Sequence, residues 1–161
     1  MTGQNSDELC LSIDKEGNWF YNGSQIINRN IYLFFNKHIE KDPGGGYLLR
    51  IEGETCRLRV EDTPYVVTAV SLVQDGEADH SRFMVRLNDG TTEPLDPATL
   101  YIGEANVPYC SVKEGAFPAR LLRPAYYELA VYIRQEGDDL FFVELNNKRF
   151  YLQEKKNGPP D

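Results

Sequence analysis

The order hairpin, helix, hairpin occurs twice in this chain, and that succession limits the fold more than any single motif does. The stretch 27–60 is echoed without a gap by the stretch 121–154. Arg29 falls on Arg123, Tyr32 on Tyr126, Ile39 on Ile133, Tyr47 on Phe141 and Leu58 on Leu152. Ahead of each stretch stands the same tripeptide, Lys15-Glu16-Gly17 and Lys113-Glu114-Gly115. Identity within the echo is sparse, so the weight rests on element order rather than on matched residues. The expectation is two similar substructures with a binding cleft between them.

Local signals fill in the elements. Leu11-Ser12-Ile13 and Trp19-Phe20-Tyr21 flank a turn over 14–18 and read as a hairpin, with Asn22-Gly23 a further turn. Ile27, Ile31, Phe34, Phe35 and His38 share one helical face, which predicts a helix over 30–41 stopped by Pro43-Gly44-Gly45-Gly46. The runs 47–52 and 55–60 form the clearest hairpin. With Gly53-Glu54 as its turn, Ile51 faces Cys56, Leu49 faces Leu58 and Tyr47 faces Val60, leaving Arg50, Arg57 and Arg59 on the other side. A strand follows at 65–73, then a hairpin of 82–87 with 91–95 around Asn88-Asp89-Gly90, and extended pieces at 99–102 and 108–113. Pro124 suits the first turn of a second helix over 124–135, and 141–145 with 149–153 closes as a hairpin around Asn146-Asn147-Lys148.

These elements give an α+β fold, mainly antiparallel β-sheet with two helices, in two similar ββαββ-like halves. The expected limits are an N-terminal α+β half over 11–62 and a C-terminal β-rich half over 63–154. Polar tails over 1–10 and 155–161 are expected to fray. With 161 residues, 41% hydrophobic and 12% aromatic, the chain is long and apolar enough to bury a core.

The net charge of −8 argues against nucleic acid, which demands clustered lysine and arginine. The segment 1–60 holds eight acidic and seven basic side chains, 61–110 nine and two, and 111–161 eight of each, so no strongly basic segment hides behind the mean. Cys10, Cys56 and Cys110 are odd in number and far apart, which speaks against a disulfide framework or a zinc site. No apolar run is long enough for a membrane span, and 1–9 lacks the pattern of a signal peptide. A cytoplasmic location is expected.

No motif names a chemistry. The two histidines lie apart, His38 on the apolar helical face and His80 in a polar loop, and no serine sits in a nucleophile elbow. Asp75, Glu77, Asp79 and His80 crowd one loop but fit no calcium-loop spacing, so a solvated acidic loop is expected. Gly44-Gly45-Gly46 follows a helix pattern instead of preceding one, which suits a helix stop rather than a phosphate cradle. The run Val60-Glu61-Asp62-Thr63-Pro64-Tyr65 sets two carboxylates at a strand end, either as a turn maker or as a recognition corner. Arg29 and Arg123 each stand just before a helix and suit an anionic partner.

Candidate ligand-binding residues are therefore Arg29, Glu61, Asp62, Tyr65, Tyr109, Arg123 and Tyr126, with no catalytic residue, metal or cofactor assigned. The function expected is a non-catalytic regulatory module binding a small molecule or a protein, with no nucleic-acid or membrane partner. Two alternatives stay open. One is an enzyme using the Glu61/Asp62 corner with Tyr65 or Tyr109, and the other is a structural homodimer formed through aromatic-rich sheets.

Several spaced motifs also resemble a family. They are Asp14-x-x-Gly17-x-Trp19-Phe20-x-x-Gly23-x-x-Ile26, Val60-Glu61-Asp62-x-Pro64-Tyr65, Pro108-Tyr109-x-x-Val112, Arg120 and Arg123-x-x-Tyr126-Tyr127-Glu128-Leu129. In this order, over about 11–154, the chain resembles the bacterial "domain of unknown function" family number twelve eighty-five. The resemblance implies a two-part α+β fold with repeated motifs and a signalling or ligand-sensing role, with no catalytic residues to carry over. Arg50-Ile51-Glu52-Gly53 and the run 74–82 depart from the family pattern.

Overall fold

Trp19 and Asn36 organise the first of two compact units, which ends at Val66. The computed structural model describes residues 11–74, 76 and 80–154. The expected tails, Cys10, and Asp75, Glu77 and Asp79 of the acidic loop lie outside the described residues. Strands β1 (Leu11–Ile13), β2 (Trp19–Tyr21) and β3 (Ser24–Gln25) make an antiparallel ribbon. Helix α1 (Arg29–Asn36) follows, capped by the Asn28 side chain, which accepts from the N–H groups of Asn30 and Ile31. β4 (Ile39–Lys41), β5 (Tyr47–Ile51) and β6 (Glu54–Val60) then run as an antiparallel meander. β6 returns beside β1 in parallel, pairing Leu58 with Leu11 and Val60 with Ile13, so one six-stranded sheet results.

The first helix is shorter than its periodicity predicts. Asn36 is fully buried, and its Oδ1 accepts the Trp19 indole N–H at 2.9 Å while its carbonyl accepts the Tyr65 hydroxyl at 2.7 Å. With its side chain and its carbonyl both given to partners outside the helix, Asn36 is the last residue of α1. Ile39, which fits the helical spacing, pairs instead with Leu49. His38 therefore lies beyond the helix rather than on its face, half-buried, with Nδ1 2.8 Å from the Phe34 carbonyl. The glycine run ends β4, not a helix: Asp42 and Gly46 close that turn, and both Gly45 and Gly46 have positive φ.

The second unit begins at Val67, within β7 (Tyr65–Gln74). β7, β8 (Ser81–Leu87) and β9 (Thr92–Pro94) form antiparallel pairs. A 3-10 turn at Pro97–Thr99, capped by Asp96, leads to β10 (Tyr101–Ile102), β11 (Pro108–Val112) and β12 (Phe117–Leu121). Helix α2 (Arg123–Ala130) is followed by β13 (Ile133–Glu136), β14 (Leu140–Leu145) and β15 (Lys148–Tyr151), a separate three-stranded meander. Past Leu152, β16 (Gln153–Glu154) pairs in parallel with β10 and completes a seven-stranded sheet. The second helix, like the first, yields its predicted last turn to a strand.

The fold is thus α+β, with two helices among the described residues. Its two units share more than the expected ββαββ outline, because helix, meander and parallel return recur register for register. Ile39 pairs with Leu49 as Ile133 pairs with Val143, Leu49 with Cys56 as Val143 with Phe150, and Ile51 with Glu54 as Leu145 with Lys148. The shared Lys-Glu-Gly tripeptide is not part of this correspondence. Lys15–Gly17 turns between β1 and β2, and Lys113–Gly115 turns between β11 and β12, one hairpin later. No helix among the described residues is long and apolar enough to cross a membrane.

The hairpin turns correct the expected register. The central residues are Glu52-Gly53, not Gly53-Glu54, with φ of 55° and 83°, and the second unit uses Asn146-Asn147 at 54° and 64°. Cys56 accordingly faces Leu49, and Leu58 faces Tyr47, although the apolar and arginine sides stay as expected. A two-residue hairpin favours left-handed backbone at both centres, where asparagine and glycine fit and glutamate is strained. Glu52→Asn should therefore raise the unfolding free energy by about 0.5–1 kcal/mol. Urea denaturation checks this, and an unchanged or lowered midpoint would show that Glu52 is not strained.

Candidate functional site

The acidic corner is built into the first unit. Glu61 donates its N–H to the Ile13 carbonyl at 2.9 Å, and its Oε1 accepts the Lys15 N–H at 3.0 Å. Thr63 is buried and donates its hydroxyl to the Tyr65 carbonyl at 2.7 Å. Tyr65 is 3% exposed, with its hydroxyl given to Asn36. Asp62 is half-buried beside them, and Arg29 is exposed at the first position of α1. The corner therefore ties β6 to the β1–β2 turn, a structural task.

The other three candidates belong to the second unit. Arg123 is the exposed first residue of α2, and Tyr126 is half-buried with its ring 6.2 Å from that of Tyr127. Tyr109 stacks on Tyr101 at 5.1 Å with 10° between the planes. A Cβ at Gly103 would lie 2.7 Å from the Tyr109 ring, so glycine is what lets this stack close.

The most built polar site in the second unit centres on Asp89, expected only as a turn residue, and on Lys113, expected at the end of an extended piece. Asp89, in the β8–β9 turn, is 5% exposed. Its Oδ1 accepts the Thr91 N–H at 2.9 Å and the Thr91 hydroxyl at 2.6 Å, while Oδ2 accepts Lys113 Nζ at 2.7 Å. Lys113 itself sits in a turn where Lys113, Glu114 and Gly115 all have positive φ, of 57°, 60° and 83°. Its backbone N–H donates to Glu93 Oε2 at 2.9 Å, so two carboxylates hold Lys113, one by its backbone and one by its side chain, at the start of a strained turn.

Beside this turn lies a hollow of about 670 Å3, lined by Glu93, Asp96, Thr99, Ser111 and Glu114 as well as Lys113. Thr99 donates its hydroxyl to the Asp96 carbonyl and accepts the Ser111 N–H, which fixes that wall. The lining offers carboxylate and hydroxyl acceptors, and Lys113 is already paired with Asp89. Such a surface suits a ligand rich in hydrogen-bond donors.

Burial, and secondarily the charge of Glu93, pushes the Cys110 thiol up to about 12, so it stays protonated and non-nucleophilic. Among the described residues no group of three or more His, Cys, Asp or Glu side chains is arranged to hold a metal. Sequence gave one usable signal for the site, the Asp-Gly-Thr order of a side-chain-capped turn. The burial of that aspartate and its reach to Lys113 had none.

A scan against protein-family models and a search of curated proteins found no match. Two solved structures share the fold. A DUF1285 family protein from Silicibacter pomeroyi DSS-3 matches with a TM-score of 0.73 at 21% identity, covering 91% of this chain and 80% of that chain. A DUF1285 family protein from Shewanella baltica OS155 matches with a TM-score of 0.62 at 22% identity, covering 76% of this chain and 91% of that chain. At these identities the likeness shows the fold, and it supports the family resemblance carried by the sequence motifs.

The Asp89–Lys113 pair makes stability depend on pH. Burial alone would raise the Asp89 carboxyl, but hydrogen bonds from Lys113 and Thr91 and the charge of Lys113 outweigh it and hold the group below the ordinary aspartate range. A depressed carboxyl adds stability above its unfolded value, and that stability is lost as pH falls through the folded one. Lys113→Met should cost about 1–3 kcal/mol near neutrality by leaving a buried carboxylate without its cation. The gap from wild type should narrow as the pH falls below the aspartate range. Urea midpoints across pH check this, and a gap independent of pH would show that Asp89 is not the group responsible.

Proposed function

We propose that this chain is a DUF1285 family protein acting as a non-catalytic regulatory module, and that the hollow beside Lys113 binds a small hydrogen-bond-donating molecule such as a polyol or an alkylamine. The observation that carries this is the preorganised lining. Glu93 is tied to the Lys113 N–H, Asp96 caps the Pro97–Thr99 turn, and Thr99 is held between Asp96 and Ser111. Fixed acceptors recognise a ligand without reorganisation, whereas proton transfer needs a base poised against a nucleophile. Neither Cys56 nor Cys110 is in a disulfide, which fits a cytoplasmic setting. An enzyme built on Glu61, Asp62 and Tyr65 has less in its favour, because the Tyr65 hydroxyl is buried and donated to Asn36.

Self-association is a second proposal with its own observation. Ile31 and Phe34 on α1, and Ile27 just ahead of its Asn28 cap, are 43%, 46% and 81% exposed, an apolar patch suited to a second copy. Light scattering at micromolar concentration should then show a dimer that Phe34→Glu converts to monomer. A wild-type monomer at that concentration removes this proposal.

Ligand binding is tested by thermal unfolding against a panel of polyols and alkyl diamines. At least one should raise the midpoint in a saturable way, and Glu93→Gln should weaken that response by about tenfold, the loss of one charge-assisted hydrogen bond. No shift across the panel, or a shift unaltered by Glu93→Gln, counts against the hollow as the site.

A further inference from the structure

The two units share one backbone register, so a position where they differ in side-chain volume and charge shows what one supplies to itself and the other does not. In the second unit, Phe150 stands opposite Val143, and Lys148 stands opposite Leu145 in the same hairpin. Lys148 Nζ lies 5.2 Å from the centre of the Phe150 ring, within cation–π range. That unit carries an aromatic ring with a positive charge over it. In the first unit the matching positions are Cys56, opposite Leu49, and Glu54, opposite Ile51. A small thiol replaces the ring and a carboxylate replaces the ammonium.

The first unit also has a hollow at this place. Its volume is about 360 Å3, at the small end for ligand pockets, and Phe35, Leu49, Ile51 and Cys56 supply its apolar lining. Glu52 and Glu54 stand on its rim, both exposed, and neither carboxylate is in an ion pair among the described residues. Phe35 is half-buried there and held from behind by Trp19, with ring centres 5.4 Å apart. An apolar floor with an aromatic wall and an acidic rim is complementary to an apolar group bearing a cation.

We propose that this hollow binds a small aromatic ammonium compound. The ring lies against Cys56, Leu49 and Phe35, where the second unit places the Phe150 ring, and the ammonium pairs with Glu54 at the rim. The site is separate from the hollow beside Lys113 and does not depend on it. An arylalkylamine and a peptide with an N-terminal aromatic residue share this chemistry, and the size of the hollow favours the free amine.

The test uses the full chain and phenethylammonium as the probe, followed by heteronuclear NMR titration. Saturable shifts at Leu49, Ile51 and Cys56 are expected in the millimolar range. 2-Phenylethanol, which keeps the ring and removes the charge, should bind about threefold or more weakly, the scale of one exposed ion pair. A phenylalanine-initiated dipeptide should bind more weakly than the free amine if the size argument is right. Equal or tighter dipeptide binding would overturn the free amine as the ligand class. Cys56→Phe should abolish binding by filling the hollow from within, with no fall in the thermal midpoint. Glu54→Gln, an exposed and conservative change, should weaken the ammonium to the level of the alcohol while the protein stays folded. The proposal is overturned if phenethylammonium gives no saturable shifts, if the alcohol binds as well as the ammonium, or if binding survives Glu54→Gln or a folded Cys56→Phe unchanged.

Discussion

Each unit is closed by a parallel pairing between a hairpin that precedes its helix and its last strand, and the rest of the architecture depends on that closure. Leu11 with Leu58 and Ile13 with Val60 make the pair in the first unit, and Tyr101 with Gln153 and Ile102 with Glu154 in the second. Parallel neighbours cannot be joined by a tight turn, so a long connection must separate them in sequence. The helix and meander belong to that connection. Its ends meet only after a long loop has been ordered, an entropic demand that local hairpins do not make. The structure meets it with side chains at the seam. Glu61 extends the first pairing by one backbone bond to Ile13 and one carboxylate bond to Lys15, and in the second unit Gln153 donates its N–H to Leu100 at the same kind of junction.

This constraint explains why the sequence was legible in outline and misleading at the joints. The repeat, the clearest hairpins, and the side on which Arg50, Arg57 and Arg59 fall all follow from periodicity and turn residues, which are local. The helix ends were not legible. Ile39 and Ile133 satisfy helical spacing as well as strand pairing, and strand pairing prevails because β5 and β14 stand ready to receive them. Periodicity alone cannot choose between those outcomes. β12 has no counterpart among the expected elements, and Pro118 inside it weakens any strand signal, yet its partner Ser111 sends its N–H to Thr99 Oγ1, so the ladder loses nothing on that side.

Polar burial was the other blind spot. Asn36 carries two functions that its neighbours in sequence do not announce, accepting from Trp19 and from Tyr65 across long separations. Asp89 looks like an ordinary turn aspartate in Asn88-Asp89-Gly90 but is buried against Lys113. Both residues hold distant segments in one geometry through directional bonds that an apolar core would leave free to slide. The candidate site inherits this. Its walls come from β9, the Pro97–Thr99 turn, β11 and the Lys113 turn, and no stretch of sequence contains more than part of it. The residues picked from sequence were conspicuous by type, whereas those that shape the hollow are conspicuous by position.

Divergence between the two units is where function has room to arise. Register fixes the backbone, so substitution at matched positions changes chemistry without changing the frame. Arg50 and Glu40 form an ion pair at 3.0 Å across β4 and β5, and the matched positions in β14 and β13 carry Glu144 and Arg134, the same charges exchanged. The opposite signs are kept on the two strands, but Glu144 stands opposite Arg149 and the ion pair of this meander joins Arg149 to Glu136. Replacing a ring and a cation by Cys56 and Glu54 is different in kind, because it removes volume and inverts charge together. Cys56 is half-buried and Glu54 exposed, so the change opens a hollow at the surface rather than a void in the core. Where the second unit places the Phe150 ring and the Lys148 ammonium, the first thus presents an apolar hollow with an acidic rim, the same complementarity with its ring and cation left to come from outside.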